Sequence, residues 1–160
     1  MDARYGFLLL AAVLATGCQR SADSAGVEAG VRAFANTVAA DVTREGPSAW
    51  RRHFADSPSF FMAVDGRMAF ADSAAATAGI RNAAQAMPRI ELHWGDDLRV
   101  DTLGPNLAVM AATYHEIQHQ SSGRVVDTNG FFTGVAERRG GVWQFRNAHW
   151  SSIVLPTAMQ

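Results

Sequence analysis

The sequence predicts an α+β domain, with N-terminal helices packed on a curved antiparallel sheet. Three observations predict it. An apolar stripe at spacings of three and four runs from Val27 to Val42; an Asp65-Gly66 pair sits between two short apolar runs; and from Ile90 onward apolar and polar residues alternate between tight turns. Helical period first and strand period afterwards is α+β order, and strands joined by tight turns pair antiparallel.

The first helix rests on Val27, Val31, Phe34, Val38 and Val42, with Ser24 as its expected N-cap. Gly46-Pro47 ends it, and Pro47 is placed to open a second, short helix with Trp50 and Phe54 on one side and Arg51 and Arg52 on the other. Ser59 to Val64 reads as a strand, Asp65-Gly66 as its hairpin turn and Met68 to Phe70 as the returning strand. Asp72 or Ser73 then caps an alanine-rich helix, Ala74 to Met87, which Pro88 ends.

The remainder is read as a four-stranded meander. Ile90, Leu92, Trp94, Leu98 and Val100 share one parity, and Glu91, His93, Asp97, Arg99 and Asp101 the other, as in one half-buried strand. Leu107 to Gln120, Val125 to Glu137 and Val142 to Val154 follow, separated by Gly104-Pro105-Asn106, Ser121-Ser122-Gly123 and Arg139-Gly140-Gly141.

Composition bounds the function. The chain has 160 residues, room for one domain with a core of its own. Hydrophobic residues make up 48% and charged residues 18%, a globular mixture. With 14 basic residues against 15 acidic ones there is no basic face to argue for nucleic acid. No G-x-S-x-G elbow and no glycine-rich phosphate loop occurs, so nucleophilic hydrolase and nucleotide readings have no support.

The single cysteine rules out a disulfide within one chain and sits at a telling place. Arg4 precedes the apolar run Phe7 to Leu14, which is too short to span a bilayer, and small residues lead to Cys18. This is signal-peptide architecture, and Ala15-Thr16-Gly17-Cys18 resembles the bacterial lipobox, with Ala15 where a large aliphatic residue is usual. The expectation is an exported lipoprotein with a signal over residues 1–18, a flexible polar tether over 19–26 and a domain over 27–155. Cys18 would be the lipidation site and membrane anchor. Gln19, in place of an aspartate, implies the periplasmic side of the outer membrane.

The order of elements, together with Phe54-Ala55-Asp56-Ser57, Gly130-Phe131-Phe132-Thr133-Gly134-Val135 and Gly141-Val142-Trp143-Gln144-Phe145-Arg146-Asn147-Ala148-His149-Trp150-Ser151, resembles the NTF2-like superfamily, and within it SnoaL-like and DUF4440-type domains. The resemblance covers roughly Val27 to Ser152. It implies a cone-shaped α+β fold around a pocket, and a second copy of the chain as a candidate partner. It does not fix an activity, because one fold hosts many chemistries. Ketosteroid isomerases keep an aspartate base and a tyrosine at positions that fall here near Met62 and Val38, and neither side chain moves a proton.

Candidate site residues follow from strand parity. Trp143, Phe145, Asn147, His149 and Ser151 alternate together, so an inward-facing pair of aromatics would carry Asn147, His149 and Ser151 into the pocket. His149 is then a candidate general base, or else a core histidine bonded to its own fold. Asp127 and Asn129 share parity with Phe131; if that face lines the cone, Asp127 pairs with His149, and if not, both are surface residues. Trp50, Phe54, Phe61, Trp94 and Phe131 are the expected apolar wall. Tyr114 and His115 are rivals for the pocket, since both parities of their strand carry apolar residues. His115 and His119 would lie about 13 Å apart on a strand, too far for one ion, so no metal and no cofactor is expected. The expected ligand is a small apolar or amphipathic molecule. A lyase or isomerase with His149 as base and a dimerising interaction module are the alternatives.

Overall fold

The computed structural model describes residues 5–153, with side chains from Asp23 onward. Arg4, the side chains of the apolar run and of Cys18, and residues 154–155 of the expected domain lie outside what the structure describes.

The first helix, α1, spans Tyr5–Glu45. Its stripe is buried as expected: Val31, Ala35, Val38 and Val42 are fully inaccessible, and Val27 and Phe34 nearly so. Two expectations are corrected. Ser24 caps nothing, and the segment read as a tether continues the helix. Small polar residues without a proline do not stop a helix already propagating from a packed segment. What changes at Val27 is burial: Asp23 to Gly26 are exposed. Gly46 ends the helix at φ 70°, a left-handed position, and a side chain there would also run into the Pro88 carbonyl at 2.6 Å. Pro47 then opens a 3-10 turn, Gly46–Ala49, continued by α2, Trp50–His53.

Strands β1 (Phe61–Val64) and β2 (Arg67–Phe70) form the expected hairpin, with Asp65 and Gly66 at φ 48° and 76°. Helix α3, Ser73–Ala86, is capped by Asp72, whose carboxylate accepts the Ala75 N–H at 2.7 Å. The strand expected across Ile90 to Val100 is two, β3 (Arg89–Trp94) and β4 (Arg99–Gly104), both paired to β5 (Leu107–His119). Trp94 faces Tyr114 and Arg99 faces Ala111, so residues 95–98 span a gap of only two residues on β5. The excess is even, and for that reason the parity read from the sequence survives the break. Strands β6 (Val125–Arg139) and β7 (Val142–Ser152) complete a sheet in the order β2-β1-β7-β6-β5-β3, with β4 also on β5.

The sheet is mixed, not purely antiparallel: β1 runs parallel to β7, with Met62 opposite Ala148. No turn joins these two strands, so the rule for hairpin neighbours does not bind them. A second departure decides the site. Val135 faces Asn147 while Ala136 faces Phe145, so Arg146 is an extra residue in β7. Such a bulge reverses the alternation beyond it. Before the bulge Phe145 faces the core; after it Ala148 and Trp150 do. On β5 and β6 the even residues face in, with Met110, Ala112 and Phe132 fully buried beneath α1.

Candidate functional site

Beyond the end of α1, the inner face of the sheet opens into a cavity of about 360 Å³. The 3-10 turn and α2 supply Pro47 and Trp50, with Phe54 just after; the hairpin supplies Met62, Val64 and Phe70; α3 supplies Ile80 and Ala83, with Met87 just after. Trp150 of β7 is the hub of the wall. It meets Trp50 edge-on at 5.5 Å between ring centres and Tyr114 at 4.7 Å. Trp50 in turn stacks on Phe54 at 5.2 Å. Apolar walls of this kind gain their specificity from a few placed polar groups.

Those groups come from the ends of three strands and one turn. β5 alternates Tyr114, Glu116 and Gln118 into the cavity; β6 adds Thr128, directly opposite Glu116; β7 adds Ser152; and the β1–β2 turn adds Asp65. Asp65 accepts the Ser152 N–H at 2.6 Å and its hydroxyl at 3.2 Å. Burial, and secondarily the Glu116 and Asp65 charges, push the Tyr114 phenol above its ordinary value, with Ser152 partly opposing, so it stays a neutral hydrogen-bond donor. Gly130 makes room for that phenol. A Cβ there would lie 2.6 Å from the Tyr114 oxygen and 2.1 Å from the Ser151 carbonyl.

Glu116 is the group whose chemistry the cavity changes most. Gln118 donates its side-chain amide to the Glu116 carboxylate. Burial pushes the Glu116 carboxyl upward, and that one amide only partly opposes it. No lysine, arginine or histidine lines the cavity among the described residues. A carboxyl held in this way is available to donate or take a proton, or to pair with a positive group brought by a ligand.

The structure sorts the sequence-derived candidates. Trp50, Phe54 and Tyr114 line the cavity. Trp94 lies behind its wall, stacked on Trp150 at 5.7 Å with its indole N–H donated to the Ala35 carbonyl at 2.8 Å. Phe61 and Phe131, expected in the wall, face outward and are 42% and 44% exposed. Asn147, His149 and Ser151 also lie on the outer face. His149 is exposed, opposite Thr133, and Ser151 donates its hydroxyl to the Phe131 carbonyl at 3.2 Å. The bulge at Arg146 is the reason: parity counted from Trp143 and Phe145 points the wrong way four residues later.

Asp127 and Asn129 are exposed on the same outer face, and Asp127 pairs with His115, not His149, at 2.8 Å. Of the two rivals on β5, Tyr114 is therefore the inward one. His119 bonds Glu91 at 3.1 Å, separately from His115. Among the described residues no three His, Cys, Asp or Glu side chains gather at metal-binding distance, and no helix is long and apolar enough to cross a membrane.

Glu116, Gln118, Thr128 and Ser152 were not singled out in the sequence. Glu116 and Gln118 continue the parity Ala108, Met110, Ala112, Tyr114 that the fold buries, but both parities of the strand carry apolar residues, so the sequence does not choose between them. For Ser152 the unseen bulge conceals the signal.

This arrangement of helices on a strongly bent mixed sheet has many solved counterparts. A protein of Salmonella enterica described as an NTF2-like superfamily member superposes with a TM-score of 0.66 at 14% identity, covering 87% of this chain and 96% of its own. The fold is NTF2-like. A scytalone dehydratase-like protein of Novosphingobium aromaticivorans aligns with a TM-score of 0.67 at 10% identity, over 78% of this chain and 83% of that one. The hexachlorocyclohexane dehydrochlorinase LinA-type3 of Novosphingobium barchaimii reaches 0.66 at 14% identity, over 86% and 94%. At these identities the NTF2-like likeness is one of fold. No family model matches the sequence, and neither does any curated protein.

Proposed function

We propose that this NTF2-like chain binds a small, mostly apolar molecule in the cavity beyond α1, with the polar end of that molecule at Tyr114 and Glu116. The observation that carries the reading is the cavity's make-up: an aromatic and aliphatic wall into which three strands and a turn set a few polar groups. The neutral dye Nile red tests it. Wild-type protein is expected to enhance and blue-shift the dye's emission. Ala83→Trp, which fills the cavity from α3, is expected to abolish the effect while the protein melts cooperatively. Dye binding unchanged by that substitution would place the ligand elsewhere.

The sequence adds an address. We propose export and lipidation at Cys18, resting on the apolar run and the small residues before it. Metabolic labelling with a fatty-acid analogue should tag the wild type and not Cys18→Ala, and equal labelling would reject the anchor.

A second reading is favoured by the Glu116 carboxyl, whose proton affinity the apolar cavity raises beside the Tyr114 phenol. Solved proteins of like fold are described as a dehydratase and a dehydrochlorinase. In this reading the chain is a lyase or isomerase, with Glu116 moving the proton and Tyr114 holding a developing oxyanion. A turnover found by substrate screening should then disappear in Glu116→Gln while dye binding persists. Turnover that survives in that variant would end the assignment.

A further inference from the structure

The chemistry of the cavity lining narrows the ligand. The rings of Trp50, Phe54, Phe70, Tyr114 and Trp150 all border the cavity. The faces of such rings carry negative charge density and attract cations. The charged groups among the lining residues are two carboxylates, Asp65 and Glu116, and no basic side chain accompanies them. An anionic ligand, such as a fatty acid or a phosphate ester, would meet repulsion and find no counter-charge.

The two carboxylates differ. Asp65 is already engaged by the Ser152 N–H and hydroxyl. Glu116 has one described partner, the Gln118 amide, against the several acceptor positions a carboxylate offers. A wholly apolar ligand would bury Glu116 further and satisfy nothing. A ligand bearing an N–H or ammonium group would supply the donor that the site lacks.

We propose that the cavity is selective for hydrophobic amines, molecules of aromatic or aliphatic body with one protonated nitrogen, which seats against Glu116 and within the rings of Tyr114, Trp150 and Trp50. This deepens the ligand-binding reading and rests on it. Binding then carries a proton linkage. Glu116 must be ionised to pair, and burial raises its proton affinity, so amine affinity rises with pH until the amine itself loses its proton. The groups around Glu116 that bear on this are few. Asp65 comes from the β1–β2 turn and Tyr114 from its own strand; α3 presents Ile80 and Ala83, β3 Ile90 and β6 Thr128, none of which titrates.

The test uses the full-length chain in mild detergent, tryptophan fluorescence as readout, and three probes of one shape: 4-phenylbutylamine, 4-phenylbutanol and 4-phenylbutyrate. The amine is expected to bind about tenfold tighter than the alcohol near neutral pH, with the carboxylate weakest. Glu116→Gln should bring amine and alcohol together. A second measurement does not depend on the variant folding: the wild type's amine affinity should climb as pH rises above the ordinary glutamate value of 4.5 while the alcohol's stays flat. An alcohol that binds as tightly as the amine, or an amine affinity that does not vary with pH, overturns the amine inference and leaves the ligand-binding reading intact. Failure of all three probes to bind overturns both.

Discussion

Asp41 and Glu116 are carboxylates withdrawn from solvent in one small domain, and their surroundings give them opposite characters. Asp41, on the last turns of α1, accepts from Arg44, from the Arg52 guanidinium at 2.8 Å and from His53 at 3.1 Å. Desolvation alone would raise its pKa, but the bonds from Arg52 and Arg44 outweigh that and hold the carboxyl below its ordinary range. Its neighbour His53 is pushed down, first by burial and then by the Arg52 charge, so the imidazole is neutral near pH 7. Among the described residues Glu116 has no cation beside it, and it moves the other way. Asp41 is satisfied within the fold, where it ties α1 to α2. Glu116 is left incomplete at the wall of a cavity. A buried ionisable group whose partners are all internal is architecture; one whose partners are missing is a candidate for binding or chemistry.

Three substitutions would break or sharpen that contrast. Gly130→Ala should have the largest effect, because its Cβ collides with the Ser151 carbonyl and the Tyr114 phenol at once. A loss of about 3 kcal/mol is expected by thermal or urea unfolding, together with weakened ligand binding as the phenol is displaced. Ordinary stability with unchanged Nile red binding would show that Tyr114 is not held as described.

Asp41→Asn should cost roughly 1–2 kcal/mol near neutral pH, with dye binding retained, because the exposed arginine partners are screened by solvent. The sign follows from the direction of the shift. A carboxyl held below its unfolded value stabilises the fold above that value, and the contribution is lost as pH falls through its folded pKa. Wild type and variant should therefore converge in acid. Parallel stability curves down to low pH would remove Asp41 from the account.

Glu116→Gln should give the smallest change and one of opposite sign, a gain of about 1 kcal/mol, or about 3 °C in melting temperature, near neutral pH. A carboxyl raised above its unfolded value of 4.5 stabilises the fold in acid and loses that contribution as pH rises through its folded pKa. The advantage of the variant should therefore vanish near pH 4.5 and below. A variant less stable than the wild type at neutral pH would mean that Glu116 is satisfied within the fold, as Asp41 is, and the contrast would fail.

The legible parts of the molecule were those with local causes. Val27 to Val42 marked the buried face of α1 because helical spacing places those residues on one side whatever lies across from them. Asp65-Gly66 marked the hairpin because both residues accept positive φ. Asp72 marked the start of α3 because a carboxylate there can take up a free N–H. Trp50, Phe54 and Tyr114 were legible as cavity residues. Asn147, His149 and Ser151 were placed inside by a count of parity that one extra residue at Arg146 invalidates, whereas Asp127 and Asn129 share the parity of Phe131 on β6 and lie with it on the outer face. Phe61 and Phe131 were placed inside because aromatic residues are read as buried, yet exposed apolar residues are ordinary on protein surfaces.

The sequence by itself determined the order of elements and the turns apart from the break over residues 95–98, the buried face of α1 and the α+β class, since each follows from periodicity and backbone preference over a few residues. The tertiary structure decided the inner face of β7, the parallel pairing of β1 with β7, and the meeting of Tyr114, Glu116, Ser152 and Asp65 at one cavity. These depend on register between strands far apart in the chain. Arg146 looks like any other strand residue until the partners of its two neighbours, Val135 opposite Asn147 and Ala136 opposite Phe145, are seen to be adjacent.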